Sequence, residues 1–181
     1  MTTRVSPTEP TIRAARTSDG DAIAEIHMAA CQAAPMPASI HPAPAIRTWV
    51  DSLLSSPSKR EFWVATSEAS GKDDPGKHEG EIMGYLRLLT PPTAGTPGWL
   101  EDLYILPGSQ GRGIGSSLME KAKSRRPDGL QLWVFASNQP AREFYRKKGF
   151  VEVEETDGRG NEEGEPDVRM VWLPAQESGT R

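Results

Sequence analysis

Apolar positions along the chain change their period several times, and each change marks an element. Residues 11–16, TIRAAR, predict a short first strand. Ser18 with Asp21 three residues later resembles a helix start, an acid standing where a capping box has Glu. The helix it opens carries Ile23, Ala24, Ile26, His27 and Ala30 at three- and four-residue spacing. Proline-rich PMPASIHPAP then interrupts the chain before a second helix with Ile46, Trp49, Val50, Leu53 and Leu54. EFWVAT (61–66) and EIMGYLRLL (81–89) read as strands, joined by a polar surface loop, EASGKDDPGKHEGE. A second loop, TPPTAGTPG, leads to a strand at Trp99–Leu106, a helix at Gly113–Arg125, a strand at Leu130–Phe135 and a helix at Gln139–Lys148. A last hairpin pairs Val151–Glu155 with Val168–Leu173 across a loop rich in Gly and Glu. This order predicts a mixed α/β fold: an antiparallel start, one strand–helix–strand crossover giving a parallel pair, and a hairpin to close.

A chain of 181 residues suits one domain, expected over 11–174, with a disordered arm at 1–10 and a flexible tail at 175–181. Hydrophobic residues at 36% and charged residues at 25% are ordinary for a globular protein. No apolar run approaches the roughly 20 residues of a membrane span. The N-terminus MTTRVSPTEPT lacks an apolar signal region, so the expectation is a cytoplasmic protein without a membrane partner. The single cysteine, Cys31, excludes an internal disulfide framework, and three widely separated histidines argue against a metal site. A net charge of −4 argues against a nucleic-acid partner, which needs a basic surface.

The densest chemical signal is Pro107-Gly108-Ser109-Gln110-Gly111-Arg112-Gly113-Ile114-Gly115-Ser116-Ser117. It follows a strand and opens a helix whose apolar face is Ile114, Leu118 and Ala122. Glycines let backbone N–H groups approach a ligand, and at a helix N-terminus those unpaired donors and the helix dipole suit a phosphate. A dinucleotide fingerprint fails because Ser116 stands at its third glycine, and a Walker loop fails for want of Gly-Lys-Ser/Thr. Gln110-x-x-Gly113-x-Gly115 matches the Q/R-x-x-G-x-G/A motif of the GNAT N-acetyltransferase superfamily. Trp99-Leu-Glu-Asp-Leu-Tyr-Ile-Leu-Pro107 resembles that family's fourth strand, and Asn138-Gln-Pro-Ala-Arg-Glu-Phe-Tyr145-Arg-Lys-Lys-Gly-Phe150 its closing motif. LEDLYI is similar to the small-amine and polyamine-type members.

The resemblance implies a GNAT-like fold, a mostly antiparallel mixed sheet with a splayed parallel strand pair flanked by helices. It implies acetyl-CoA as co-substrate and an amine as acceptor. Leu103 and Ile105 would pair with the pantetheine, and Gln110, Gly111, Arg112, Gly113, Gly115 and Ser116 would wrap the pyrophosphate. Arg112 is open to a second reading as a solvated arginine. Asn138 would touch the pantetheine and also cap its helix. Many relatives form homodimers, though no residue here requires it.

An amine of lysine-like pKa, about 10.4, must lose a proton to attack, and the leaving thiolate gains from a donor. Tyr145 is the candidate donor by its family match, with packing against Phe144 and Phe150 as the alternative. Glu101 and Asp102 are the adjacent carboxylates of the central strand. Glu101 is expected on the face of Leu103 and Ile105 unless a bulge intervenes, as a water-mediated base. Asp102 is expected to bind the amine. A solvated or salt-bridged edge is the alternative for both. Cys31 reads as a buried hydrophobe, and Trp49, Trp63, Trp133 and Trp172 as core. His27 belongs to the core or surface, or lines the acceptor cleft. The loop at 156–167, with Glu162, Glu163, Glu165 and Asp167, is a solvated tip or an acidic rim drawing cations. The functional expectation is N-acetylation of a small-molecule primary amine by direct attack in a ternary complex. The alternatives are a protein amine as acceptor, or a module that senses acyl-CoA without turning it over.

Overall fold

In the computed structural model, residues 9–56, 60–67, 80–89, 93 and 95–175 are described. Residues 1–8 of the expected arm at 1–10, residues 176–181 of the expected tail at 175–181, residues 57–59, the loop at 68–79 and much of the loop at 90–94 lie outside them. Four strands pair antiparallel in chain order: β1 (Thr11–Ala14), β2 (Arg60–Thr66), β3 (Ile82–Leu89) and β4 (Gly98–Ile105). Two helices, α1 (Gly20–Ala33) and α2 (Ala43–Ser55), sit between β1 and β2 in sequence. Then come α3 (Ile114–Arg125), β5 (Leu130–Phe135), α4 (Gln139–Lys147), β6 (Val151–Glu155) and β7 (Asp167–Trp172). The sheet order is β1-β2-β3-β4-β5-β7-β6, so the closing hairpin inserts its second strand against β5 and leaves β6 at the edge.

Two apolar clusters hold the layers together. Ile23, Ala24 and Ile26 of α1 pack with Ile46, Val50 and Leu53 of α2 against Phe62, Val64 and Tyr85. Ile114, Leu118, Met119 and Ala122 of α3 pack with Leu86, Leu88, Leu100, Leu130 and Leu132. Both use the three- and four-residue helical spacing that places side chains on one face. Leu118 is fully buried, and truncating such a leucine to alanine costs about 2–5 kcal/mol.

The start of α1 differs from expectation. Asp19, rather than Ser18 with Asp21, organises it: its carboxylate accepts the Arg16 N–H at 2.8 Å and holds the Arg13 guanidinium at 2.7 and 3.0 Å. A 3₁₀ turn at Thr17–Asp19 therefore precedes the helix. Asp19 wins because it also reaches a strand, a tertiary pairing that local spacing does not encode.

β4 and β5 are parallel over only two pairs, Gly98 with Leu130 and Trp99 with Gln131. Beyond Trp99 the strands separate, and β4 keeps β3 as its partner through Leu103 and Ile105. The splayed opening implied by the resemblance is present.

Candidate active site: two cavities that meet on one bulged strand

The pairing of β3 with β4 slips once, from Arg87–Asp102 to Leu88–Leu100, leaving Glu101 as an extra residue. This is a β-bulge, which bends a strand and re-aims its side chains. Leu100 packs into the same core as Leu103 and Ile105, a spacing of three and five that regular alternation forbids. Glu101 and Asp102 therefore open to different places. Glu101 lines a cavity of about 650 Å³ with Leu103, Ile105 and Tyr145. Asp102, buried, lines a second cavity of about 480 Å³ with His27, Trp49 and Arg87. Met36, Tyr104 and Phe135 belong to both walls.

The first cavity fills the gap between β4 and β5. Gln110, Gly111, Gly113, Gly115 and Ser116 line it from the glycine loop, and Asn138 and Tyr145 from α4 and its cap. Gly111 and Gly113 have φ of +74° and +84°, left-handed values that glycine takes without a Cβ penalty. Among the described residues, no protein acceptor takes the N–H groups of residues 111–116. Six donors turned from the protein at a helix N-terminus fit a diphosphate. From Leu100 onward, β4 has no parallel partner strand, so one edge of its backbone faces the gap. Arg112 is exposed and does not line the cavity. Asn138 caps α4, its Oδ1 accepting the Ala141 N–H at 3.3 Å. Gly149, φ +86°, ends that helix. The Tyr145 ring contacts Phe144 and Phe150 at 5.4 and 5.6 Å between centroids, and no described residue bonds its hydroxyl. Burial, then the charge of Asp102, pushes that phenol above its ordinary range, so it stays protonated.

The second cavity is assembled from distant segments. Arg87 of β3 is buried and its guanidinium pairs with both Asp102 and Glu101. Its Cζ lies 5.0 Å from the centre of the Trp49 ring. His27 stands edge-on to Trp49 and Tyr104, with centroids 5.5 and 5.0 Å away. Its Nδ1 is 2.9 Å from the hydroxyl of the fully buried Tyr85. Burial holds the imidazole below its ordinary pKa of 6.5, with Asp102 opposing. Cys31 also lines this cavity, and burial raises its pKa, which keeps it a thiol. Glu162 and Glu163 close the rim, where His41 Nε2 reaches Glu162 Oε2 at 2.9 Å and ties the loop before α2 to the β6–β7 loop.

Trp49 and Trp133, expected in the core, are 36% and 41% exposed and line the second and first cavities. Both stand in apolar patterns, but the sheet face or helix flank beneath them is cavity rather than protein. Arg87 and Tyr104 escaped the sequence reading as site residues. A signal for Arg87 exists: it is the one charged residue in β3 and must find carboxylates if buried.

A family model described as acetyltransferase (GNAT) family matches residues 24–150. An uncharacterized N-acetyltransferase of Mycobacterium tuberculosis is 34% identical over 130 residues, which span 68% of this chain and 80% of that protein. A peptidyl-lysine N-acetyltransferase of Escherichia coli is 31% identical over 74 residues, 41% of this chain and 46% of that protein. Among solved structures, the PaiA N-acetyltransferase from Thermoplasma acidophilum in complex with coenzyme A has a TM-score of 0.65 at 20% identity, covering 92% of this chain and 99% of that one.

Proposed function

The chain belongs to the acetyltransferase (GNAT) family, and from that premise we propose that it acetylates the primary amine of a small molecule by direct attack in a ternary complex. The enzyme is an acetyltransferase that draws on acetyl-CoA. The observation that carries the finer reading is the junction of two cavities at one strand, with Met36, Tyr104 and Phe135 common to both. Donor and acceptor can be held together there, and no nucleophilic side chain is needed to carry the acyl group between them.

In this reading Gln110 to Ser116 hold the pyrophosphate through backbone N–H groups, and Asn138, Leu103 and Ile105 line the path of the pantetheine. Tyr145 supplies a proton to sulfur as the carbon–sulfur bond breaks. Burial keeps that hydroxyl protonated beforehand, and the tyrosinate left by the transfer regains its proton from solvent. Glu101 takes the proton that nitrogen sheds after attack, through water. Asp102 accepts an N–H of the acceptor and so aims its lone pair at the carbonyl carbon. Glu162 and Glu163 add negative charge at the mouth, which favours a cationic acceptor. The bridge from His41 to Glu162 roofs the cavity, which suits a small molecule better than a chain in an open groove.

The test is thiol release from acetyl-CoA against polyamines, amino acids, aminoglycosides and lysine peptides. Tyr145→Phe is expected to lower kcat about a hundredfold or more and spare the KM for acetyl-CoA. Preference for lysine peptides would replace the small-molecule acceptor with the substrate type named for the Escherichia coli relative. Tight acetyl-CoA binding with no amine acetylated would overturn the catalytic assignment of the site.

A further inference from the structure

An amine acceptor leaves a proton problem that the strand carboxylates do not solve alone. A lysine-like amine with pKa near 10.4 arrives as an ammonium and has no lone pair. It must give up one proton before attack and another after it. One proton ends on the coenzyme sulfur and one is released to solvent. Glu101, in the reading above, handles the second. The first must be taken inside the acceptor cavity, where the Asp102 carboxylate is held by the Arg87 guanidinium that also binds Glu101 of the neighbouring cavity. Both carboxylates are already engaged by that one cation.

His41, Glu162 and Glu163 stand at the exposed rim, and His27 is the further proton acceptor that lines the cavity beneath them. Tyr85 occupies its Nδ1. Nε2 has no hydrogen-bond partner among the described residues, and the ring is wedged between Trp49 and Tyr104. The groups around it are Tyr85 and Arg87 of β3, Asp102 and Tyr104 of β4, Cys31 on its own helix, and His41, Glu162 and Glu163 at the rim. Tyr85, Tyr104 and Cys31 are all held protonated by burial. None of these three can accept a proton at neutral pH.

We propose that His27 is the base that strips the acceptor's ammonium, receiving its proton at Nε2 while Nδ1–H donates to the Tyr85 hydroxyl. This assignment rests on the small-amine reading above. The imidazolium formed faces Asp102, whose charge supports it, and returns its proton to solvent through the acidic mouth. Tyr85 is a positioning residue: it fixes the tautomer that leaves the Nε2 lone pair toward the cavity. The lowered pKa keeps His27 neutral, and therefore competent, at pH 7.

The test uses two amines of nearly equal shape, ethylamine and 2,2,2-trifluoroethylamine, because the fluorinated amine is already uncharged at neutral pH. With ethylamine at pH 7, His27→Gln is expected to lower kcat/KM about a hundredfold, the usual scale of a proton-transfer group. With trifluoroethylamine the same variant changes less than about threefold relative to wild type, since no proton needs removing. For ethylamine the acid limb of kcat/KM lies below 6.5 in wild type and moves toward the amine's own pKa, near 10.4, in the variant. Tyr85→Phe follows the same pattern with a smaller loss, and unchanged melting temperature and acetyl-CoA affinity show that both variants fold. Equal losses with the two amines, or an acid limb that stays put, would overturn the proposal. If wild type acetylates neither amine but does acetylate lysine peptides, the small-amine reading fails and takes this assignment with it.

Discussion

The donor cleft and the acceptor cavity share β4, but they are built by different means. The donor cleft draws mainly on one stretch of chain, 101–145, plus the end of α1, the residues just after it to Met36, and Asp167. Its central device is backbone: two left-handed glycines and a helix N-terminus present N–H groups without help from side chains. The acceptor cavity draws on α1, α2, β3, β4, β5 and the β6–β7 loop, and its devices are side chains paired across the fold. Arg87 meets Asp102 and Glu101, His27 meets Tyr85, and His41 meets Glu162. In the proposed reading the donor side recognises a phosphate-bearing coenzyme. The acceptor side is free to vary because each contact comes from a different element. The family match, residues 24–150, ends before the β6–β7 loop that carries Glu162 and Glu163.

The contrast can be broken most forcefully at Arg87. Arg87→Leu leaves Asp102 buried without its cation, and losing one partner of a buried pair costs about 3–5 kcal/mol. Chemical denaturation should register that loss, together with weaker acceptor binding, while acetyl-CoA affinity in the surviving folded fraction stays close to wild type. On the donor side, Gly113→Ala forces a Cβ into a left-handed position at about 1–2 kcal/mol. The KM for acetyl-CoA should rise about tenfold, the equivalent of that strain, with the acceptor KM unmoved. A rise in both would show that the two sides are not separable.

Smaller effects sharpen the same line. Glu162→Gln with Glu163→Gln should raise the KM of a cationic amine several-fold and spare acetyl-CoA, and added salt should erase the difference because both groups lie at the surface. An unchanged KM would return the loop to a solvated tip. The smallest effect is on stability. Burial depresses the His27 pKa below 6.5, so its contribution is complete above that ordinary value. It is lost as pH falls through the lowered folded value. Melting temperatures between pH 7 and 5 should decline less in His27→Gln than in wild type; identical slopes would place the titration elsewhere.

Much of the donor side was legible because its signals are local. Gln110-x-x-Gly113-x-Gly115 and the Asn138 to Phe150 run each encode a short backbone geometry, a loop into a helix and a capped helix ending at glycine. The candidate residues Leu103, Ile105, Gln110, Gly111, Gly113, Gly115, Ser116, Asn138, Tyr145 and Glu101 do line one cavity. Arg112 does not, since a side chain next to a glycine turn is free to point to solvent. The acceptor side was legible only in fragments. Asp102 was named from its strand, but its direction depended on a bulge that no residue type at 101 announces.

The sequence by itself determined the order and kind of every element from β1 to β7, the glycine loop after β4, and the membership that follows from them. These rest on periodicity, capping and turn chemistry, which act over a few residues and leave a pattern in the chain. Only the tertiary structure decided which carboxylate enters which cavity, that Arg87 holds both, that His27 lies beside Tyr85, and that β7 rather than β6 pairs with β5. Each of these joins residues far apart in sequence through burial and charge pairing, and such energies depend on what the rest of the fold brings within reach.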